Sequence, residues 1–258
     1  MNFIEFDPSP RAIINPEEKH LRIPGCPKTV VSCFPCNLIE YALNRYGGKK
    51  IAWCNGANGS TPLYHTEVHG VPLGLMMLRV GAPMAAMQLE DLFAWGAERV
   101  VIFGTCGVMN SSIGDCAIIL PDCAIREEGT SYHYMPPSKQ IAANIGTLHL
   151  MQKFFTEKKV PYITGKVWST DAFFRETPDK ISRYRSEGCL AAEMECSALT
   201  AVAQFRSKQV AQFLYSADNL DSAVWDMRSL SNEANLESNF ALMELALEFG
   251  VRWEKNLL

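Results

Sequence analysis

The run Val100-Val101-Ile102-Phe103, entered at Arg99 and closed by Gly104, constrains this chain more than any other stretch. Consecutive apolar residues with no polar alternation fit a strand buried on both faces. Such a strand needs a layer on each side, and the sequence supplies candidates for both. Further strand-like runs fall at residues 29–34, 50–53, 64–68, 71–78, 115–120, 162–167, 190–194 and 209–216. His69-Gly70 between two of them predicts a hairpin. Residues 84–95 lack Gly and Pro and read as a helix. Ala198, Val202 and Phe205 share a helical face, as do Leu236, Phe240, Met243 and Leu247. Strands alternating with helices predict an α/β sandwich around a mostly parallel or mixed sheet. Asp7-Pro8-Ser9-Pro10 and Asn15-Pro16-Glu17-Glu18 make residues 1–28 an irregular arm, followed by a single domain over residues 29–258.

The composition narrows the class. Hydrophobic residues make up 48% of 258 residues, enough for a full-sized core. A formal net charge of −4 gives no broad basic surface for nucleic acid, so an anionic substrate needs a local cradle. No apolar run approaches the roughly 20 residues that span a bilayer, and residues 1–10 do not resemble a signal peptide. Nine cysteines, most of them inside apolar runs, suit free thiols in a reducing cytoplasm. Cys33-Phe34-Pro35-Cys36 has the C-x-x-C spacing of a redox or metal site, but no second pair exists to complete a zinc site, and none is expected.

Five constellations can carry chemistry. Gly104-Thr105-Cys106-Gly107 ends the apolar strand, where ligands collect in open α/β sheets; it reads equally as a tight turn. Glu193-Met194-Glu195 follows an apolar run. Its carboxylates either belong to a charged first helical turn or accept hydrogen bonds from sugar hydroxyls while Met194 packs on the sugar. Asp218 ends the run 210–215 and is either a turn residue or a general acid. Phe173 and Phe174 suggest a stacking face with Arg175 beside them, or ordinary core. The dense segment 124–134 reads as a loop lining a site or an oligomer contact.

In this order, these segments resemble the nucleoside phosphorylase family that includes hexameric purine nucleoside phosphorylases and uridine phosphorylases. The resemblance runs from about residue 29 to the C-terminus. Ile125-Arg126-Glu127-Glu128-Gly129-Thr130-Ser131 with His133 looks like the uridine branch, whereas Asp218 matches the acid of the purine branch. The resemblance implies a three-layer α/β fold with a central mixed, partly barrel-like sheet and a dimer-based homo-oligomer, dimer or hexamer. It also implies reversible phosphorolysis of a nucleoside, most readily a purine nucleoside, with phosphate as co-substrate and no cofactor. Uridine, water in place of phosphate, and a non-catalytic nucleoside binder are the alternatives.

By the same resemblance, Met194 and Glu195 hold the ribose, Glu193 counts with them among the substrate-binding residues, and Phe173 stacks on base or sugar. Cys106 and Gly107 border the base, Arg175 is a further donor, and Asp218 protonates a leaving purine. Thr105 contacts phosphate, and His20 is the candidate to reach the ribose 5′-hydroxyl of a neighbouring subunit. The sequence also departs from the family. Ser32-Cys33-Phe34-Pro35-Cys36-Asn37 replaces its phosphate loop, and Ile102 and Gly59 stand near positions of its arginines. Arg79 is the candidate phosphate ligand, and Arg228 is the approximate counterpart of the arginine that follows the acid.

Overall fold

Strand β5 (Arg99–Val108) runs through the centre of the molecule. Val101 and Phe103 enter one apolar cluster and Val100 and Ile102 another, so successive side chains alternate between two covered faces. The computed structural model describes residues 6–19, 22–57, 59–222, 224–230 and 236–258. The other strands are β1 (Thr29–Cys33), β2 (Lys49–Gly56), β3 (Gly59–Val68), β4 (Val71–Met77), β6 (Ile118–Glu127), β7 (Gln140–Ala142), β8 (Tyr162–Thr170), β9 (Cys189–Glu193) and β10 (Gln209–Asn219). The helices are α1 (Pro16–Lys19), α2 (Cys36–Tyr46), α3 (Ala82–Trp95), α4 (Ile145–Glu157), α5 (Pro178–Ser186), α6 (Cys196–Phe205) and α7 (Leu236–Glu254).

The sheet is mixed and partly closed. Strands β10, β6, β8, β9 and β5 pair in that order, and β10 pairs back onto β5, which completes a ring of five strands. An open wing of β1, β4, β3 and β2 continues from β5. Strand β10 occupies one edge of β5 along its whole length. The opposite edge is divided: β1 pairs with Arg99 to Phe103, and β9 pairs with Gly107 and Val108. The neighbours of β5 therefore diverge at Gly104, Thr105 and Cys106, the kind of crevice where α/β sheets bind ligands.

Helices α2, α4 and α7 cover the face that receives Phe103, while α3 and α6 cover the other. Helix α4 begins at an Asn144 cap whose side chain accepts from Thr147 N. Short α1 packs beside α3, where Lys19 pairs with Asp91 at 3.8 Å. No helix among the described residues is long and apolar enough to cross a membrane.

Three local expectations change. The strand expected over 115–120 starts at Ile118 and runs on to Glu127, because Cys116 takes a left-handed φ of 58° that ends regular pairing before it. The segment 124–134 is therefore first a strand and then a 3-10 turn, Thr130–His133. Gly104 to Gly107 also stay within a strand instead of forming a turn.

Phe213 of β10 stacks on Phe103 at 5.1 Å and meets Phe155 edge-on at 5.5 Å. Phe213→Ala should lower the unfolding free energy by about 3–5 kcal/mol in urea titration. A loss under about 1 kcal/mol would contradict this packing.

Candidate active site

A cleft of about 790 Å³ opens at the divergence of β1 and β9 from β5. Its floor is the glycine-flanked end of β5. A Cβ on Gly104 would lie 2.7 Å from a ring carbon of Phe34, and one on Gly107 would lie 2.9 Å from Leu220 and 3.0 Å from Asp218 Oδ1. These glycines allow close approach by neighbouring side chains, which is their reason for being here. Thr105 is exposed to the cleft, and the buried Cys106 borders it, its thiol held well above the usual range by burial.

One wall is the junction of β9 with α6. Glu193 accepts from the backbone N–H groups of Glu195 and Cys196, both at 2.6 Å, and from the Ser169 hydroxyl. It thereby satisfies donors that the start of α6 would leave unpaired. With Glu193 tied down, Met194 and Glu195 line the cleft. Glu195 Oε1 accepts from Gly81 N at 2.5 Å, so the turn between β4 and α3 braces it. Burial raises the pKa of both glutamates, and for Glu195 the charge of Glu193 adds to the effect.

The segment 124–134 stands behind this wall and none of it lines the cleft. Glu128 accepts from Ser131 N at 2.8 Å and from the Ser197 hydroxyl at 2.8 Å, and Ser197 N donates to Ser169 Oγ at 2.9 Å. The buried Arg126 donates to Ser131 Oγ, Ser138 Oγ and the carbonyls of Met135 and Pro136. These residues support Glu193 from behind the cleft wall.

Opposite stands Asp218, 8% exposed and lining the cleft. The register of β10 against β5 shifts between Ser216 and Asp218, and such a bulge re-aims the following side chain. Trp225 Nε1 donates to Asp218 Oδ2 at 2.8 Å. Burial raises the acid's pKa, while that hydrogen bond and the charge of Arg228 lower it and Asp226 raises it. Arg228 itself makes no hydrogen bond to Asp218: it bonds the Asp226 carboxylate at 3.2 Å and the Ile113 carbonyl at 2.8 Å.

The structure brings Thr105, Cys106, Gly107, Phe173, Glu193, Met194, Glu195 and Asp218 together around one cleft. Phe173 and Phe174 lie at its mouth with ring centroids 4.0 Å apart. Arg175 follows them but is exposed and does not line the cleft. Arg79 lies just behind the rim formed by Val80, with Nε bonded to Thr61 at 3.3 Å. His20 lies outside the described residues.

Glu176, Trp225 and Phe34 also line the cleft, although nothing in their local sequence marks them. They arrive through the 3-10 turn that begins at Phe173, a loop after β10 and the Cys33 to Cys36 connection, whose sequence patterns point to neighbouring residues instead. The seven cysteines that lie in strands and helices, Cys33 and Cys36 among them, are free thiols. Among the described residues no group of His, Cys, Asp and Glu is arranged to hold a metal ion.

Burial and the nearby Asp218 charge push the pKa of Glu176 up from 4.5 to about 7. The folded protein keeps this proton across a range where the unfolded chain has released it, so stability falls as pH rises from about 4.5 to about 7. Glu176→Gln should reduce the stability difference between pH 5 and pH 8 in urea titration; an unaltered difference would contradict this placement.

The chain is similar to known proteins. The sequence model of the phosphorylase superfamily matches residues 40–247. Guanosine phosphorylase of Halorubrum lacusprofundi is 24% identical over 147 residues, covering 57% of this chain and 61% of that protein. Purine nucleoside phosphorylase DeoD-type of Brevibacillus brevis is 26% identical over 148 residues, covering 55% and 61%. The chain thus spans about three-fifths of the length of these two relatives. Purine nucleoside phosphorylase from Toxoplasma gondii, solved with immucillin-H, superposes with a TM-score of 0.77 at 16% identity and 99% coverage of both chains. Uridine phosphorylase from Vibrio fischeri ES114 gives 0.73 at 21%, covering 96% of this chain and 98% of its own. AMP nucleosidase from Bacteroides thetaiotaomicron VPI-5482 gives 0.68 at 22%, covering 89% and 90%. At these identities the superpositions speak to the fold alone. The superfamily match across most of its length makes this chain a member of the phosphorylase superfamily.

Proposed function

We propose that the cleft binds a nucleoside and breaks its N-glycosidic bond, with a purine as the leaving base and phosphate as the attacking group. The observation that carries this reading is the placement of a buried acid, Asp218, across one cleft from the braced Met194-Glu195 wall. Cleavage develops positive charge on the ribose and negative charge on the base, so a protein assists by holding the sugar and protonating the base. Glu195 accepts hydrogen bonds from the ribose hydroxyls, Met194 packs on the sugar, and Glu193 holds both in place. Phe173 stacks on the base, and Cys106 and Gly107 border it. As the bond between C1′ and nitrogen breaks, its electron pair goes to the base and the Asp218 proton goes to the purine. Phosphate, near Thr105 with Arg79 at the rim, bonds to C1′, giving free base and ribose 1-phosphate. The purine nucleoside and guanosine phosphorylases among the relatives support this choice of base. A homo-oligomer, dimer or hexamer, working in the cytoplasm belongs to the same reading.

A second reading, with water as the attacking group, is favoured by one observation. The only cation lining the cleft among the described residues is Arg185, and it is paired with Asp221. Glu176, Glu193, Glu195 and Asp218 share the same walls, and a phosphate dianion is held well only where cations or many donors face it.

Asp218→Asn keeps the shape and removes the proton. Its turnover of purine nucleosides, followed by release of free base, should fall about 100-fold or more; unchanged turnover would sink the assigned acid. Glu195→Ala should raise KM for the nucleoside and lower kcat together, and wild-type kinetics would remove Glu195 from the ribose site.

A further inference from the structure

The loop after β10 carries a tryptophan that local packing does not explain. Trp225 is 55% exposed, so its ring adds little to the core, yet its single polar group bonds the buried acid of the cleft. The loop is fixed at several points. Leu220 N donates to Val108 O at 2.8 Å, Asn219 N donates to Asp226 O at 2.9 Å, and Arg228 Nη1 donates to Ile113 O at 2.8 Å. Ser111 Oγ donates to Asp221 O at 2.9 Å, and Ser229 Oγ donates to Asp115 Oδ1 at 2.6 Å. The indole is therefore delivered to Asp218 by a braced loop.

The two oxygens of Asp218 are left unequal. Oδ2 accepts from the indole, whereas Oδ1 accepts no hydrogen bond from the described residues and lies 3.0 Å from the Cβ position of Gly107 on the cleft floor. An indole N–H can only donate, so the oxygen facing it must accept. When the carboxyl is neutral, its proton then belongs on Oδ1. An arginine in the same place would act differently: its fork would bind the ionised carboxylate and keep the proton off. Here Arg228 is turned to Asp226 and the Ile113 carbonyl.

We propose that Trp225 is a positioning residue: its indole N–H occupies Oδ2 of Asp218 and so confines the acid's transferable proton to Oδ1, beside Gly107, where a bound base is reached. This role rests on Asp218 being the acid of the proposed reaction, but the contact and its effect on the carboxyl do not depend on turnover. The charged and titratable groups around Asp218 are Glu176 from the turn before α5, Arg228 and Asp226 from the loop itself, and Cys106 from β5. The indole is a neutral donor in this set, and it favours the ionised carboxylate. Removing it therefore raises the pH at which Asp218 loses its proton.

Trp225→Phe keeps a ring and deletes the N–H. It should lower kcat about tenfold with KM changed less than about twofold, and move the alkaline limb of kcat/KM to higher pH. A merely structural role would leave that limb in place. Independently of turnover, the chain's five tryptophans give five indole N–H signals in proton–nitrogen spectra of the 258-residue chain. The signal missing in Trp225→Phe should move with pH in the wild type and stop moving in Asp218→Asn. A Trp225 signal indifferent to pH and to Asp218→Asn would overturn the proposal, as would an active Trp225→Phe enzyme with an unshifted limb. If no protein releases base while the signal follows Asp218, the proposed reaction fails and the Trp225–Asp218 contact stands.

Discussion

The Glu193 carboxylate accepts from two consecutive backbone N–H groups and a buried hydroxyl, and much of the cleft follows from that one arrangement. An ionisable group this deeply enclosed is tolerable only with hydrogen bonds in place of water. The partners it recruits join three elements: β9, the first turn of α6, and Ser169 on β8. Ser169 accepts from Ser197, and Ser197 donates to Glu128, so the fixation reaches the end of β6. The result is a rigid step in the chain at which Met194 and Glu195 project into the cleft without choice of conformation. Preorganisation of this kind is what a sugar site requires, because the reacting carbon must be held to a fraction of an ångström.

Strand β5 sets the opposite constraint. Its one edge is filled by β10, and its other is shared by β1 and β9, so the sheet must part at Gly104 to Cys106. The closed ring of strands lies on one side of that parting and the open wing on the other. Phe34 comes over Gly104 from the wing, while Leu220 and Asp218 come over Gly107 from the end of β10. Any side chain at either glycine would collide with these groups. The position of the acid is thus tied to the same strand that makes the cleft, and the loop with Trp225 completes its surroundings.

Features set by short stretches were legible in the sequence. The apolar run at Arg99 to Gly104, the hairpin at His69-Gly70, the step at Glu193 to Glu195 and the strand-end acid Asp218 are local patterns with local causes. Features set by long-range contacts were not. Arg126 gives β6 the look of a polar loop, and only its carbonyl partners at Met135 and Pro136 explain its burial. Arg175 sits next to Phe173 in sequence, yet the 3-10 turn leaves it outside the cleft lining. Trp225 and Glu176 enter the cleft from connections whose paths depend on what they pack against.

Among the described residues, the carboxyls of the cleft have one arginine on the same walls, itself paired, so the proposed sugar and base are better provided for than any attacking anion. The central claim is that this cleft takes a purine nucleoside apart. It is tested most directly by incubating the protein with adenosine, guanosine, inosine and uridine, each with and without phosphate, and quantifying free base. The account predicts release of a purine base, with dependence on phosphate deciding between phosphate and water as the attacking group. Absence of base release from every nucleoside under both conditions would contradict it.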